Sequence, residues 1–524
     1  MEGDRGRLDQ LQEDLEPLYQ RMSEASWRVA TGGGDEAARL LEETGEEIIE
    51  RLSRREDFEA AQRVRGEGLG GAQGRVAEVL YRSLLGYQGD KELSLRLLQK
   101  DIELQQLYSQ FRAEVQGERK SRNDLEDLLE TTGRSAEAEE VWRASFGIGA
   151  QSAPLAREAA RLRNRRARSL GFESHYELSL FEQEIEPTHL RSLMAELEQG
   201  TRGIAAQVRE EVAAQRRIQF TLPKDAALSF FHYGERFFQH LPASGPTLDD
   251  VFAGRDLVPL AQSFFSSMGF DVDPVLERSD LYEREGKNQH AFCTHIDRGT
   301  DVRVLCNLRS NQRWMGTLLH ELGHAVYMQG IDQSLPFALR DGHIANHESI
   351  STLMESHLTD PNWLRDAAGF ADERLIREVE RRQLMDLVVF TRFALVMVEF
   401  ERRFYADPEA DLGATWWRLV EEIQGLPAPR EPRPDDWAVK DHIATAPVYY
   451  HNYLLGYMTM AQLRRHLEGI AGHPGLYGSE AAGARLKTAW FAPGISARWD
   501  DLVAQVTGSP LGAQAMLGRV SAAL

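Results

Sequence analysis

The stretch Met315-Gly-Thr-Leu-Leu-His320-Glu321-Leu-Gly-His324-Ala-Val-Tyr-Met328 decides how the rest of the chain is read. Met315, Leu318, Leu319, Leu322 and Val326 recur at helical spacing, so a buried helix is expected here. Residues four apart on a helix share a face, with Cβ atoms about 6 Å apart. His320 and His324 stand in that relation, and two imidazoles so placed can both reach one zinc ion at roughly 2.0–2.1 Å. Glu321 adjoins the first of them, where a carboxylate can hold a water and take its proton. The bland alternative is polar side chains caught in a core. Buried histidines and a buried glutamate need partners, and a metal supplies them.

A zinc site of the catalytic kind takes three protein ligands, so a third must come from elsewhere. The obvious source is His343-Ile-Ala-Asn-His347-Glu348-Ser-Ile-Ser-Thr-Leu-Met-Glu355, a second helix expected from near Gly342. Glu348 lies 24 residues beyond His324, room for the end of one helix, a loop and a returning helix. His343, His347 and Glu355 compete with it on these grounds. Nine of the fifteen histidines fall between His290 and His451, which places the expected chemistry in that part of the chain.

Around this centre the sequence reads as mostly α. Leu40, Leu41, Ile48, Ile49 and Leu52 are helically spaced, as are Leu93, Leu97, Leu98, Ile102, Leu104 and Leu107 between Leu93 and Phe111. Ser121-Arg-Asn-Asp124 offers capping residues ahead of an apolar stripe. The clearest strand is Asp301-Val-Arg-Val-Leu-Cys-Asn307, where Val302, Val304 and Cys306 alternate in part with polar neighbours. Four prolines between Gly425 and Pro434 make that segment a loop. A length of 524 residues exceeds what one compact core routinely holds, so two lobes are expected.

Composition excludes several classes. With 42% apolar and 27% charged residues the chain is too apolar for a disordered protein. A net charge of −21 without a basic block makes nucleic acid and anionic membrane poor partners. The apolar run Met385–Phe400 carries Asp386, Arg392 and Glu399 and is expected to be a buried helix rather than a membrane span. Two cysteines, Cys293 and Cys306, in so long a chain are expected as free thiols in a reducing compartment. With the polar opening MEGDRGRLDQ, this leads to a cytoplasmic protein as the expectation.

The zinc motif followed by His347-Glu348-Ser-Ile resembles the gluzincin pattern of the angiotensin-converting-enzyme family of peptidyl-dipeptidases. His290-Ala291, Trp416-Trp417, Gln424-Gly425 and the run from Ser479 to Leu517 are similar to landmarks of that family. Asp301-Val-Arg303, Gly323-His324-Ala-Val-Tyr-Met-Gln-Gly330 and Tyr450-His-Asn-Tyr453-Leu-Leu-Gly456 resemble the related carboxypeptidase Taq family. The resemblance implies Glu348 as third ligand, and His442 and Tyr453 as donors to the developing oxyanion. It further implies Lys440 and Tyr450 on the substrate's C-terminal carboxylate, with Tyr449 an alternative to Tyr450, and His290 with Ala291 along the substrate backbone. Thr352 replaces an acidic residue of the family, while Val420 and Asn452 stand where chloride-binding arginines would, so chloride activation is not expected.

The whole chain, 1–524, is expected to be one catalytic metallopeptidase unit: an elongated, two-lobed helical body around a deep groove, with a small sheet near the zinc. Its N-terminal helical part would span about 1–285 and its zinc- and substrate-binding part about 286–524. Zn2+ and short peptides are the expected cofactor and partners. The expected reaction is release of dipeptides or single residues from the C-terminus. An endo-acting oligopeptidase, a biosynthetic amide hydrolase and a non-catalytic binding protein are the alternatives.

Overall fold

A computed structural model describes residues 2–524. The chain is mostly helical, with two two-stranded antiparallel sheets among the described residues. One is a hairpin of Ala113–Val115 with Glu118–Lys120. The other pairs β1 (Phe292–His295) with β2 (Val302–Leu305), in a register that sets Phe292 against Leu305 and His295 against Val302. β2 occupies the middle of the expected strand and buries Val302, Val304 and Leu305.

The zinc motif lies on α1 (Gln312–Gln329), whose first turn is capped by Asn311 accepting the Trp314 N–H at 2.9 Å. Met315, Leu318, Leu319 and Leu322 are fully buried, which is the apolar stripe read from the sequence. α2 (Ile344–Glu355) starts two residues after Gly342, with His343 as its N-cap. The two helices approach closely because residue 323 is glycine. A Cβ there would stand 2.8 Å from the Ser351 Cα, closer than two carbons can pack.

Two longer helices lie further along the chain, α3 (Glu373–Ala406) and α4 (Tyr450–Ala471). α3 contains the run Met385–Phe400, with Val388, Phe393, Met397 and Phe400 fully buried in protein. No helix among the described residues is long and apolar enough to cross a membrane. The Ser121 cap is present as a capping box with Asp124. The segment from Gly425 to Arg433 is irregular, as its prolines require. Two expected stripes are only partly inside; in the helix Gly34–Leu52, Ile48 and Leu52 are buried whereas Ile49 is 50% exposed. The helix Lys91–Gln110 buries Leu93, Leu97 and Leu104, whereas Leu98 and Ile102 are 52% and 45% exposed, because that helix packs along one narrow face.

The chain divides into two compact units, each assembled from separated stretches. The first comprises the residues through Gln88, Pro246–Glu380 and Leu455–Met516; it contains β1, β2, α1 and α2. The second comprises Gly89–Gly245, Arg381–Leu454 and Leu517–Leu524. Both units draw on residues from either side of position 285. The second unit has an aromatic core in which Trp142, Phe146, Phe230 and Trp417 pack together. Trp416 lies against Phe237, Phe393 and Phe400. Gln424 donates to the carbonyls of Phe237 and Phe238 at 3.0 and 3.1 Å. The Trp-Trp and Gln-Gly landmarks are thus parts of a packed core.

Candidate metal centre and active site

His320 and His324 project one turn apart from α1, and Glu348 faces them from α2. One donor atom from each of the three lies within 4.8 Å of the others. Glu348 Oε2 is 3.8 Å from His320 Nε2 and 3.9 Å from His324 Nε2, so both histidines offer the same ring nitrogen. At roughly 2.0–2.2 Å per ligand bond, three donors spaced in this way surround one zinc-sized cation.

The three rivals to Glu348 have other partners. Glu355 Oε2 is 3.0 Å from His320 Nδ1. With Nδ1–H given to that carboxylate, Nε2 keeps its lone pair for a metal, and the ring orientation is held. His324 Nδ1 makes a close contact with His347 Nδ1. One of these nitrogens must donate and the other accept. Donation by His324 again leaves its Nε2 as the ligand atom. His343 caps α2, its Nδ1 accepting the Ala345 N–H at 3.2 Å, and its ring stacks on Trp499. Glu355 therefore supplies the acidic support that Thr352 cannot. Gly456 of α4 packs on Glu348, where an added Cβ would meet the Glu348 Cβ at 3.4 Å.

Glu321 is 7% exposed. Burial pushes its carboxyl up to about 7, with the charges of Glu348 and Glu355 adding to the effect. The neighbouring His320 and the backbone N–H of Cys293 on β1 oppose it. Burial works against a charged His320, yet the Glu355 hydrogen bond and the charges of Glu355, Glu321 and Glu348 outweigh it and raise that ring to about 9. Burial lowers His324, and it holds His347 down at about 4. Three carboxylates thus converge on two imidazoles in a partly buried pocket, an excess of negative charge that a dication would neutralise. The donor set fits zinc. Both cysteines are free. Burial raises their thiols, so neither is poised as a thiolate ligand.

His290 is exposed and Ala291 half-buried at the start of β1, two to three residues before Cys293, whose N–H reaches Glu321.

The second unit gathers Lys440, His442, Tyr450 and Tyr453. Lys440 is 3% exposed. Its ammonium donates to Gln239 Oε1 at 3.1 Å and otherwise faces the rings of Phe237, Phe393 and Tyr450 at 5.6–5.8 Å. Burial lowers its pKa to about 8, although Asp441 and Glu235 favour the charge. An ammonium has three donors. A caged lysine with one amide partner is suited to a carboxylate brought in from outside. His442 Nδ1 lies 3.0 Å from Asp441 Oδ1, and Arg122 donates to the other oxygen of Asp441 at 3.0 Å. Burial of Asp441 is outweighed by His442, Lys440 and Arg122, which keep it ionised. With Nδ1–H given to that carboxylate, Nε2 is the ring nitrogen left to meet a substrate. The Tyr450 ring lies edge-on to His442 and Tyr453, at 5.2 and 5.4 Å. Tyr449 touches Tyr453 at 5.2 Å. It is Tyr450 that neighbours both Lys440 and His442.

Sequence reading missed Gln239, which lies in no motif and is 201 residues from its partner Lys440. It also missed the Cys293 N–H, since backbone donors leave no residue-type signal.

A family profile described as angiotensin-converting enzyme matches residues 249–519, just over half of the chain. Carboxypeptidase 1 of Bacillus subtilis (strain 168) is 26% identical over 238 residues, 40% of this chain and 44% of that protein. The chain thus matches less than half the length of this relative. The matched span covers His290, both helices of the candidate metal site and the Lys440–Tyr453 cluster, and on it the chain belongs to the angiotensin-converting-enzyme family of peptidases.

Proposed function

We propose that the chain is a zinc-dependent peptidase that trims short peptides from the C-terminus, releasing dipeptides. The observation that carries this reading is the convergence of His320, His324 and Glu348 with buried Glu321 beside them. Zinc, when bound by those three residues, supplies Lewis acidity for a peptide carbonyl and for water. Glu321 takes the proton of the attacking water and delivers it to the leaving amine, a role suited to a buried carboxylate beside the three donors. Tyr453 and His442 donate hydrogen bonds to the carbonyl oxygen as it gains charge. Lys440, with Gln239 and Tyr450, receives the C-terminal carboxylate. His290 and the Ala291 backbone run along the substrate chain.

The family membership supports dipeptide release as the first reading. Single-residue release is the second reading, favoured by the name of the Bacillus relative. The two free thiols support a cytoplasmic setting. Mass spectrometry of products from a mixed peptide digest separates the readings. Successive losses of two residues from the C-terminal end are expected. Internal cuts indifferent to the terminus would replace this proposal with an endo-acting oligopeptidase, and absence of any cleavage would replace it with a specialised amide hydrolase or a binding protein.

A further inference from the structure

Val448, just ahead of α4, adopts φ +57°, in the left-handed region. Glycine and asparagine tolerate that conformation, whereas a β-branched residue is held there only by surrounding contacts. The backbone of Val448 is held on both sides. Its N–H donates to Glu401 Oε1 of α3 at 2.6 Å, and its carbonyl accepts from Gln183 Nε2 at 3.2 Å. Glu401 is 2% exposed and Val448 1%, so the pair is dry and the strained peptide has no water to relax toward.

Gln183 does more than hold Val448. Its Oε1 accepts from Asn452 Nδ2 at 2.7 Å and lies 3.1 Å from His451 Nε2. His451 and Asn452 are the residues between Tyr450 and Tyr453, and both are 1% exposed. One amide therefore ties the strained residue before the helix to the inward face of its first turn. A helix turn whose preceding peptide and whose own inward side chains are pinned cannot rotate about its axis. Tyr450 and Tyr453, on the other side of the same turn, are then fixed in direction.

We infer that Glu401 and Gln183 are positioning residues which, through Val448, His451 and Asn452, fix the rotation of the first turn of α4 and so aim Tyr450 and Tyr453. The inference rests on the catalytic roles proposed for those tyrosines. Neither Glu401 nor Gln183 needs to touch the substrate. The acceptor on Val448 is what matters, and an amide oxygen can fill that role as a carboxyl does.

The test is a double-variant cycle on zinc-loaded full-length protein with a short free-acid peptide. Glu401→Met removes the acceptor at similar volume, and kcat is expected to fall about tenfold while zinc content stays stoichiometric. Glu401→Gln, which retains an acceptor, is expected to restore most of the loss. In a Tyr453→Phe background Glu401→Met is expected to change kcat less than twofold, since the Tyr453 hydroxyl that kcat reports is already gone and misplacement of Tyr450, a carboxylate-binding group, is read in KM. A full tenfold loss in that background, or Glu401→Gln as slow as Glu401→Met, overturns the positioning role. Should Glu401→Met fail to fold, Gln183→Leu runs the same cycle with the same two outcomes. If Tyr453→Phe alone leaves kcat unchanged, the catalytic role proposed for Tyr453 fails and the positioning inference fails with it. A large Tyr453→Phe effect with additive Glu401→Met overturns the inference alone.

Discussion

At the scale of single residues, the centre sorts four carboxylate and imidazole candidates by what stands behind them. Glu348 faces both histidines, while Glu355 and His347 lie against their far nitrogens. Glu348→Ala should therefore abolish stoichiometric zinc binding, whereas Glu355→Ala should weaken it by about 10–100-fold while leaving a site. Zinc competition titrations against a chromogenic chelator check this. The reverse order would exchange the two carboxylates. Glu321 touches the same pocket without being among the three donors. Glu321→Gln should keep zinc and lose about 10²–10⁴ in kcat. Near-normal turnover at full zinc occupancy would remove it as general base. The His-Glu-x-x-His spacing was readable because helix geometry alone sets which residues share a face. The partners of Nδ1 were not readable, since they come from another helix.

At the scale of elements, the metal centre depends on how closely α1 and α2 pack. Gly323 sits between the two histidines, and the nearest atom an added Cβ would meet is the Ser351 Cα at 2.8 Å, backbone that cannot swing aside as the Met354 side chain beside it can. Gly323→Ala should force the helices apart by a few tenths of an ångström or more. That should cost about 1–3 kcal/mol in stability and weaken zinc binding as well. Thermal melting of the metal-free protein and a zinc titration should show both losses together. Unchanged melting and affinity would mean that the helix pair tolerates a methyl there. The buried stripe of α1 was legible because five apolar residues repeat at helical spacing. The stripe of Lys91–Gln110 was legible only in part. Leu98 and Ile102 satisfy the same periodicity, yet nothing covers enough of that face to bury them. Periodicity states what a helix could bury, and its neighbours decide what it does bury.

At the scale of the whole molecule, a net charge of −21 repels peptide carboxylates, so a local cation must attract them. Lys440, with its aromatic cage and Gln239, is the group we assign to that role. Amidating a substrate's C-terminus should lower kcat/KM by about 10–100-fold, the worth of a desolvated charge-assisted pair. Lys440→Ala should erase the difference between acid and amide. The same lysine has its pKa lowered by burial to about 8, and in the proposed role only its protonated form would hold a carboxylate. Preference for the free acid should thus be full below that pH and fade as pH rises through it, while cleavage of the amide shows no such limb. Paired kcat/KM profiles across the range that brackets that value test this; a constant ratio throughout would count against Lys440. The sequence by itself determined the helical class, the pair of imidazoles on one face and the adjacent carboxylate. Each of these rests on spacing within a few helical turns, where backbone geometry leaves little choice. Only the tertiary structure showed that Glu348, which the family resemblance implied, faces both imidazoles, that Gln239 attends Lys440, and that Glu401 and Gln183 hydrogen-bond to Val448 ahead of α4. Those are meetings of side chains far apart in sequence, and they follow from how helices pack rather than from any local period.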